Sequence, residues 1–376
     1  MVAGAANDNA VKTAFVMAVT VLNWPLLGLS PVVLANIAAL SFILPFVLLA
    51  GPAAYWAQSL PPKQWLWRLK ALEVILAALA MIAIYTALGW LLLLCVIGFG
   101  VQSALIGPLK YALIPRLGTS ESLVHDNAWM ESGTFLAILI GTLYGADWMV
   151  DRPERLLLLV GALALLGVFA IRLLPELAAN PEAEAYRLSD LVHRQRKDRT
   201  SMSAIWCISG FWAIGSVWLT HLPLLATEIW GVSASSVGTL LSQFVAGIAA
   251  GALAGVVLRG LPRTTRVIAG ALGLVAGALL SQSASFEVGQ VGLFVTAMGG
   301  GFLALPLYTL LQDDVLSVAE RVAVNNVANA LMIVAAAVAS ILMVGLLAMP
   351  LLWWLLLLAI LQLLLCLYHR RNLSLR

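Results

Sequence analysis

Charge is what this chain has least of. Of its 376 residues, 10% are Asp, Glu, Lys or Arg, against roughly 25% in an ordinary soluble domain. Hydrophobic residues make up 62%, and the mean hydropathy is +0.99. A water-soluble fold cannot hide that much apolar surface. Soluble globular enzymes, disordered chains and secreted disulfide scaffolds are thereby excluded. Cysteine is scarce too: Cys95, Cys207 and Cys366 fall singly inside apolar runs and read as buried thiols, with no disulfide framework. There are four histidines, no H-E-x-x-H and no C-x-x-C, so no metal site is expected. G-x4-G-K-[ST] is missing, which excludes a nucleotide-driven pump within these residues. No cofactor, no catalytic residue and no nucleic-acid partner is expected. His193 and Asp198 have the spacing used by glycerolipid acyltransferases, but they sit in a short basic segment with no domain around it and read as coincidence. No cleavable signal peptide is read, because the N-terminus runs into the first apolar stretch almost at once.

What the chain does have is long apolar runs. A spanning helix needs about 20 mostly apolar residues. Twelve such spans are expected, over 2–26, 31–57, 66–86, 89–108, 128–149, 156–175, 203–227, 236–258, 265–283, 289–312, 322–347 and 350–369. The runs are continuous and do not alternate with polar residues, which argues for helices over barrel strands. No room is left for a soluble catalytic module. Lys and Arg alternate loop by loop. With the N-terminus in the cytoplasm, Lys63 to Lys70, Lys110 and Arg116, Arg172 to Arg199, Arg259 to Arg266, Arg321 and Arg370 to Arg376 all fall on the cytoplasmic side. The opposite side carries Arg152 and Arg155 only, and Lys12 lies inside the first span. Both termini are therefore expected in the cytoplasm. Tryptophans at span ends (Trp24, Trp56, Trp65, Trp90, Trp148, Trp230 and Trp353) mark the membrane interfaces. The hydrophilic stretch 177–202 divides the chain into six spans (1–176) and six spans (203–376). That plan is the one used by major facilitator transporters, whose two bundles rock about a site near the membrane midplane. The fold class expected is an all-α membrane protein with about twelve transmembrane helices in two six-helix halves. Gly141 and Gly145, and Gly247, Gly251 and Gly255, recur at four-residue spacing, which lets helix backbones approach closely.

Ionisable groups inside spans cost at least about 2.5–3.5 kcal/mol each on insertion scales, so they are the first functional candidates. Asp8 and Lys12 are four residues apart on one helical face and can pair. They either face a cavity as a charge pair or are solvated near the terminus. Lys110 sits where the fourth span meets the cytoplasm, and Glu131 lies near the cytoplasmic start of the fifth. Both suit a gating or structural ion pair better than direct substrate contact. Glu73, three residues after Lys70, reads as an interfacial ion pair, and His221 as an interfacial histidine. Asn325, Asn326 and Asn329 cluster within about one turn of the eleventh span. Such carboxamides are expensive unless they find partners. They either tie helices together or serve a polar headgroup.

Several segments resemble the lysophospholipid transporter branch of the major facilitator superfamily, especially members fused to an acyltransferase and an acyl-carrier-protein synthetase. These are NDNAVKTAFVMAVT (7–20), FILPFVLLAGPAAYWAQSLPPK (42–63), SALIGPLKYALIPRL (103–117), NAWMESGTFLAILIGTLYG (127–145), ISGFWAIGSVWLTHLP (208–223), GGGFLALPLYTLLQ (299–312) and RVAVNNVANALM (321–332). They run in order over nearly the whole chain, and G-P-x-K-Y and N-x-x-M-E-[AS]-x-T-F are the specific ones. The resemblance implies ATP-independent movement of lysophospholipids, such as lysophosphatidylethanolamine, toward the cytoplasmic leaflet of a bacterial inner membrane. A separate acyltransferase would be the partner that re-esterifies them. Asp8, Lys110 and Glu131 are the polar residues it marks, followed by Asn127, Asn325, Asn326 and Asn329. In this reading Asp8 and Lys12 hold the zwitterion, Lys110 and Glu131 form a cytoplasmic latch, and the acyl chain stays in an apolar lateral groove. The chain departs from the family in three places. Only six residues precede Asn7, so the first helix is expected to be short. Residues 51–63 carry no acid where the superfamily has Gly-x-x-x-Asp-[RK]. The seventh span has no basic residue except His221. The rival functions are a proton-coupled exporter of a small solute with the same fold, and a non-transporting membrane partner of an acyltransferase.

Overall fold

The computed structural model describes residues 2–29, 31–118, 123–180, 184, 187–232, 236–283, 285–312 and 318–374. Every regular element among them is helical. In chain order they are α1 (Val2–Thr20), α2 (Pro31–Leu48), α3 (Ala50–Ser59), α4 (Pro62–Tyr85), α5 (Gly89–Leu117), α6 (Leu123–Asp151), α7 (Pro153–Ile171), α8 (Leu188–Lys197), α9 (Arg199–Leu224), α10 (Ser236–Val257), α11 (Arg263–Leu280), α12 (Phe286–Leu311), α13 (Val318–Ser340) and α14 (Leu351–Leu373). π-Helical turns at Leu225–Ile229 and Ile341–Leu346 extend α9 and α13.

Each expected span falls on one helix, except the second. There Pro45 stands inside α2, one turn before its end. Proline removes a backbone donor and crowds the preceding turn. The chain bends by 56° between α2 and α3. Among the described residues, eight helices are long and apolar enough to cross a membrane, or nine with α2 and α3 taken as one. The other expected spans, α1, α4 and α6, have 19, 24 and 29 residues. Charges interrupt them: Asp8 and Lys12, Lys70 and Glu73, and Asp126 and Asp147. The outward surfaces are apolar. Leu158, Leu165 and Phe169 on α7, Val257 on α10 and Leu364 on α14 are exposed. Patches of this extent belong against lipid, and with the span lengths they make this a multi-pass membrane protein. Asp198 caps α9 by accepting the Ser201 backbone N–H at 3.1 Å.

The packing resolves two compact units, each discontinuous in sequence. The first comprises Met1–Leu113, Leu136–Leu191 and Leu316–Asn326. Within it α1 packs on α2, α4 and α7, around a core that includes Phe15, Leu92, Phe99 and Leu156. The second comprises Ile114–Phe135, Val192–Val315 and Val327–Arg376. Within it α12 packs against α9, α10 and α11. The contact with α10 is made backbone to backbone: a Cβ on Gly251 would lie 2.0 Å from the Met298 carbonyl oxygen.

Glycine does the same in the first unit. A Cβ on Gly141 would stand 2.1 Å from the Ala6 carbonyl oxygen, and one on Gly145 2.6 Å from that of Ala10. These contacts seat α6 on either side of the Asn7–Asp8–Asn9 segment. Gly141→Ala is therefore expected to destabilise the protein by about 1–3 kcal/mol or more, because the obstacle is backbone that cannot swing aside. Gly161→Ala is the control, since its Cβ would meet only the flexible Met81 side chain, Sδ at 3.6 Å and Cε at 3.9 Å. Thermal unfolding in detergent, followed by size-exclusion chromatography, reads the difference.

Candidate functional site

α1 carries the polar centre of the first unit. Its segment Asn7–Asp8–Asn9 is buried in a helix that is otherwise mostly Ala and Val. Asp8 is 4% exposed. One carboxylate oxygen accepts the Ser103 hydroxyl of α5, and the other accepts the Asn9 amide at 2.9 Å. The Lys12 ammonium donates to the Asn9 carbonyl oxygen at 2.9 Å and stands 4.9 Å from the centroid of the Phe42 ring on α2, a cation–π distance. Asp8 and Lys12 thus share a face, as their spacing implies, but Asn9 links them. Asn7 turns the other way and donates to the Val160 carbonyl of α7 at 3.3 Å. The result is a cluster of one acidic side chain, one basic side chain and an amide between them, buried at Asp8 and Asn9 and half-buried at Lys12.

The same face of α5 continues one turn on. Gly107 follows Ser103 by four residues, and a Cβ there would lie 2.8 Å from the Asn326 side-chain nitrogen. The first turns of α13 therefore bring Asn326 to the α5 face that holds Asp8 through Ser103. Asn325 is fully buried, and neither its amide nitrogen nor its oxygen has a hydrogen-bond partner among the described residues. Such an amide is expensive to leave unpaired, and it is the most conspicuous unmet polar group of the first unit.

The other expected residues lie elsewhere. Asn127 and Gln312, in the second unit, exchange amide hydrogen bonds of 2.7 and 3.3 Å and are both buried. Asn329 accepts the Ser209 hydroxyl of α9 at 2.8 Å. These contacts engage both amides of the Asn127–Gln312 pair and the side-chain oxygen of Asn329. Lys110 stands over the Tyr111 ring, 4.4 Å from its centroid. Glu131 falls on α6, and its side chain lies outside the described residues.

One buried feature departs from expectation. Lys70 and Glu73 form an ion pair at 2.5 Å with side chains 2% and 0% exposed. Gln102 donates to the same Glu73 oxygen at 2.7 Å. The pair is enclosed by protein, where its position near a span end suggests an interfacial one. Gly4 of α1 and Gly167 of α7 make the room: a Cβ on either would lie 3.0 Å from the Lys70 nitrogen. Gln102 adjoins Ser103, so neighbouring residues of α5 serve the two buried acids. No pattern in the sequence points to Asn9, Gln102 or Ser103. All three are uncharged; Gln102 and Ser103 find their partners on other helices, and Asn9 finds its own within α1.

No protein-family model matches the chain. In sequence it is 32% identical over 228 residues to the lysophospholipid transporter LplT of Cronobacter sakazakii, a stretch that is 57% of this chain and 56% of the relative. The same figures hold for LplT of Salmonella paratyphi B. The chain thus spans a little over half the length of the curated relatives it matches. In structure it resembles the Escherichia coli fucose:proton symporter FucP with a TM-score of 0.77 at 15% identity, over 100% of this chain and 97% of that one. It resembles the human organic anion transporter MFSD10 with a TM-score of 0.72 at 14% identity, over 99% and 98%. The expected fold is therefore present: this chain has the major-facilitator fold along its length, and in sequence it is similar to the lysophospholipid transporters.

Proposed function

We propose that the chain is a secondary transporter that moves lysophospholipids toward the cytoplasmic leaflet of a bacterial inner membrane. The observation that carries this is the Asp8–Asn9–Lys12 cluster beside Ser103. A zwitterionic headgroup offers a phosphate and a cationic amine, and the cluster offers a matching charge to each. Asn325 and Asn326, on the first turns of α13, supply carboxamides for the remaining phosphate and glycerol oxygens. Asn127 and Asn329 act in this reading by holding their helices, and Lys110 and Glu131 are assigned to gating. Residues 1–176 and 203–376 form the two rocking halves, joined by the cytoplasmic segment 177–202, with both termini in the cytoplasm. A separate acyltransferase consumes the delivered lysophospholipid. The likeness to named lysophospholipid transporters supports the substrate class.

The test uses purified protein in liposomes with a fluorescent lysophospholipid added outside. Albumin then extracts whatever remains in the outer leaflet. The expected result is a fraction protected from extraction that grows with time and exceeds that in empty liposomes. Identical extraction from both kinds of liposome, for headgroups of every charge type, would reject the proposal.

A further inference from the structure

We propose that the furrow between α2 and α5 seats the single acyl chain of the transported lipid and sets the preference for one chain over two. The proposal rests on the transport reading above and adds to it a place and a selection rule. α2 and α5 touch backbone to backbone where Phe42 meets Gly100: a Cβ on Gly100 would lie 2.7 Å from the Phe42 carbonyl oxygen. Beside that contact is a cavity of about 270 Å³. Leu44, Pro45, Leu48 and Leu49 form one wall, Ile97 and Val101 the other, and Ser41 is its one polar side chain. The residues from α2 fall three and four apart, on a single helical stripe, so the cavity is one furrow. At one end Leu49 and Val101 pack into a cluster with Ala53, Leu69, Leu105 and Ile106, which closes it. On its flank Leu44 and Leu48 are 53% and 66% exposed, so it opens sideways toward lipid.

The furrow and the polar cluster draw on the same two helices at the same level, from different faces of each. Ser41 precedes Phe42, whose ring carries the Lys12 ammonium. Val101 precedes by two residues Ser103, which donates to Asp8. A molecule with a zwitterionic head and one hydrocarbon tail matches this layout, charge to charge and apolar wall to tail. At about 270 Å³ the furrow holds one tail and not two.

Leu44→Trp and Val101→Trp, made in the full chain, each fill the furrow. Leu44 is exposed, so its variant folds as the native protein does. In proteoliposomes both variants should raise the half-saturating concentration of a long-chain lysophospholipid several-fold, and leave a short-chain analogue with the same headgroup unaffected. A second readout does not depend on transport. The added tryptophan fluorescence, over that of the native protein, should be quenched by lysophospholipid brominated on its tail, and only weakly by a diacyl lipid brominated at the same position. Equal quenching by both lipids would mark the furrow as a site for bystander membrane lipid and overturn the proposal. Unchanged dependence on chain length would overturn it as well. If the native protein moves no lysophospholipid, the transport reading fails, and the quenching comparison still decides whether the furrow selects one chain.

Discussion

Asp8→Asn should abolish protection of lysophospholipid from albumin while the protein stays in the membrane at its native level. The substitution keeps shape and volume and removes the negative charge. It also places an amide N–H₂ where one carboxylate oxygen now stands, and both neighbours there, the Ser103 hydroxyl and the Asn9 amide, are donors. Against Asn9 that would set donor against donor, so the new N–H₂ faces Ser103, whose hydroxyl must turn from donating to accepting. Hydrogen bonds to a charged group contribute about 1.5–3 kcal/mol each, and about 1.4 kcal/mol is tenfold in an equilibrium constant. Weakening either contact loosens the site by that order, and the loss of transport itself follows from the missing charge for the headgroup amine. Lys12 is then left with no anion in its cluster. Asp8→Asn combined with Lys12→Met should therefore unfold at a temperature closer to the native protein than Asp8→Asn does, and still fail to transport. Ser103→Ala removes one donor and keeps the charge, so its defect should be the mildest of the set. Native rates of flipping in Asp8→Asn would take Asp8 out of the headgroup site.

The fold was legible because the features that specify it are local. Most spans are continuous apolar runs, charges interrupt only α1, α4 and α6, and the Lys and Arg residues alternate from loop to loop. The break between α2 and α3 was not read, although Pro45 is visible in the sequence. A proline in an apolar run bends a helix without interrupting its hydropathy, so 31–57 reads as one span. In the site, Asp8 and Lys12 were legible because a charge inside a span is costly wherever it lies. Ser103 was not, since it joins Asp8 from 95 residues away and serine is unremarkable in an apolar helix. The asparagines of α13 show the same limit within one residue type. Asn325 is buried without a hydrogen-bond partner among the described residues, Asn326 stands against Gly107, and Asn329 bonds Ser209. Spacing places them on the helix, and only the neighbouring helices decide what each one meets. In the sequence Lys70 and Glu73 look interfacial because they lie near a span end. What encloses them is a pair of glycines on α1 and α7, and a glycine that makes room for a distant side chain leaves no periodic mark.

Lys70→Met should be among the most destabilising single substitutions in the first unit, and the paired change Lys70→Met with Glu73→Leu should recover most of the loss. The Lys70 ammonium and the Glu73 carboxylate are held at 2.5 Å with almost no exposure. One Glu73 oxygen already has no hydrogen-bond partner among the described residues, and the other is shared by Lys70 and Gln102. Removing the ammonium leaves a buried carboxylate supported by one amide, and breaking such a pair from one side costs about 3–5 kcal/mol. Replacing both partners by apolar side chains of similar volume removes the stranded charge, and that exchange is often neutral or stabilising. Unfolding midpoints in detergent separate the cases, and a Lys70→Met variant as stable as the native protein would show that the pair contributes nothing. The transport rate of the stable double variant then decides what the pair is for. Native transport would mean that it only packs α1, α4 and α7 together. A folded double variant with slow transport and a weakened response to Ser103→Ala would mean that Gln102, released from Glu73, no longer holds its neighbour Ser103 against Asp8. The buried pair would then be a positioning element for the headgroup site, acting through two consecutive residues of α5.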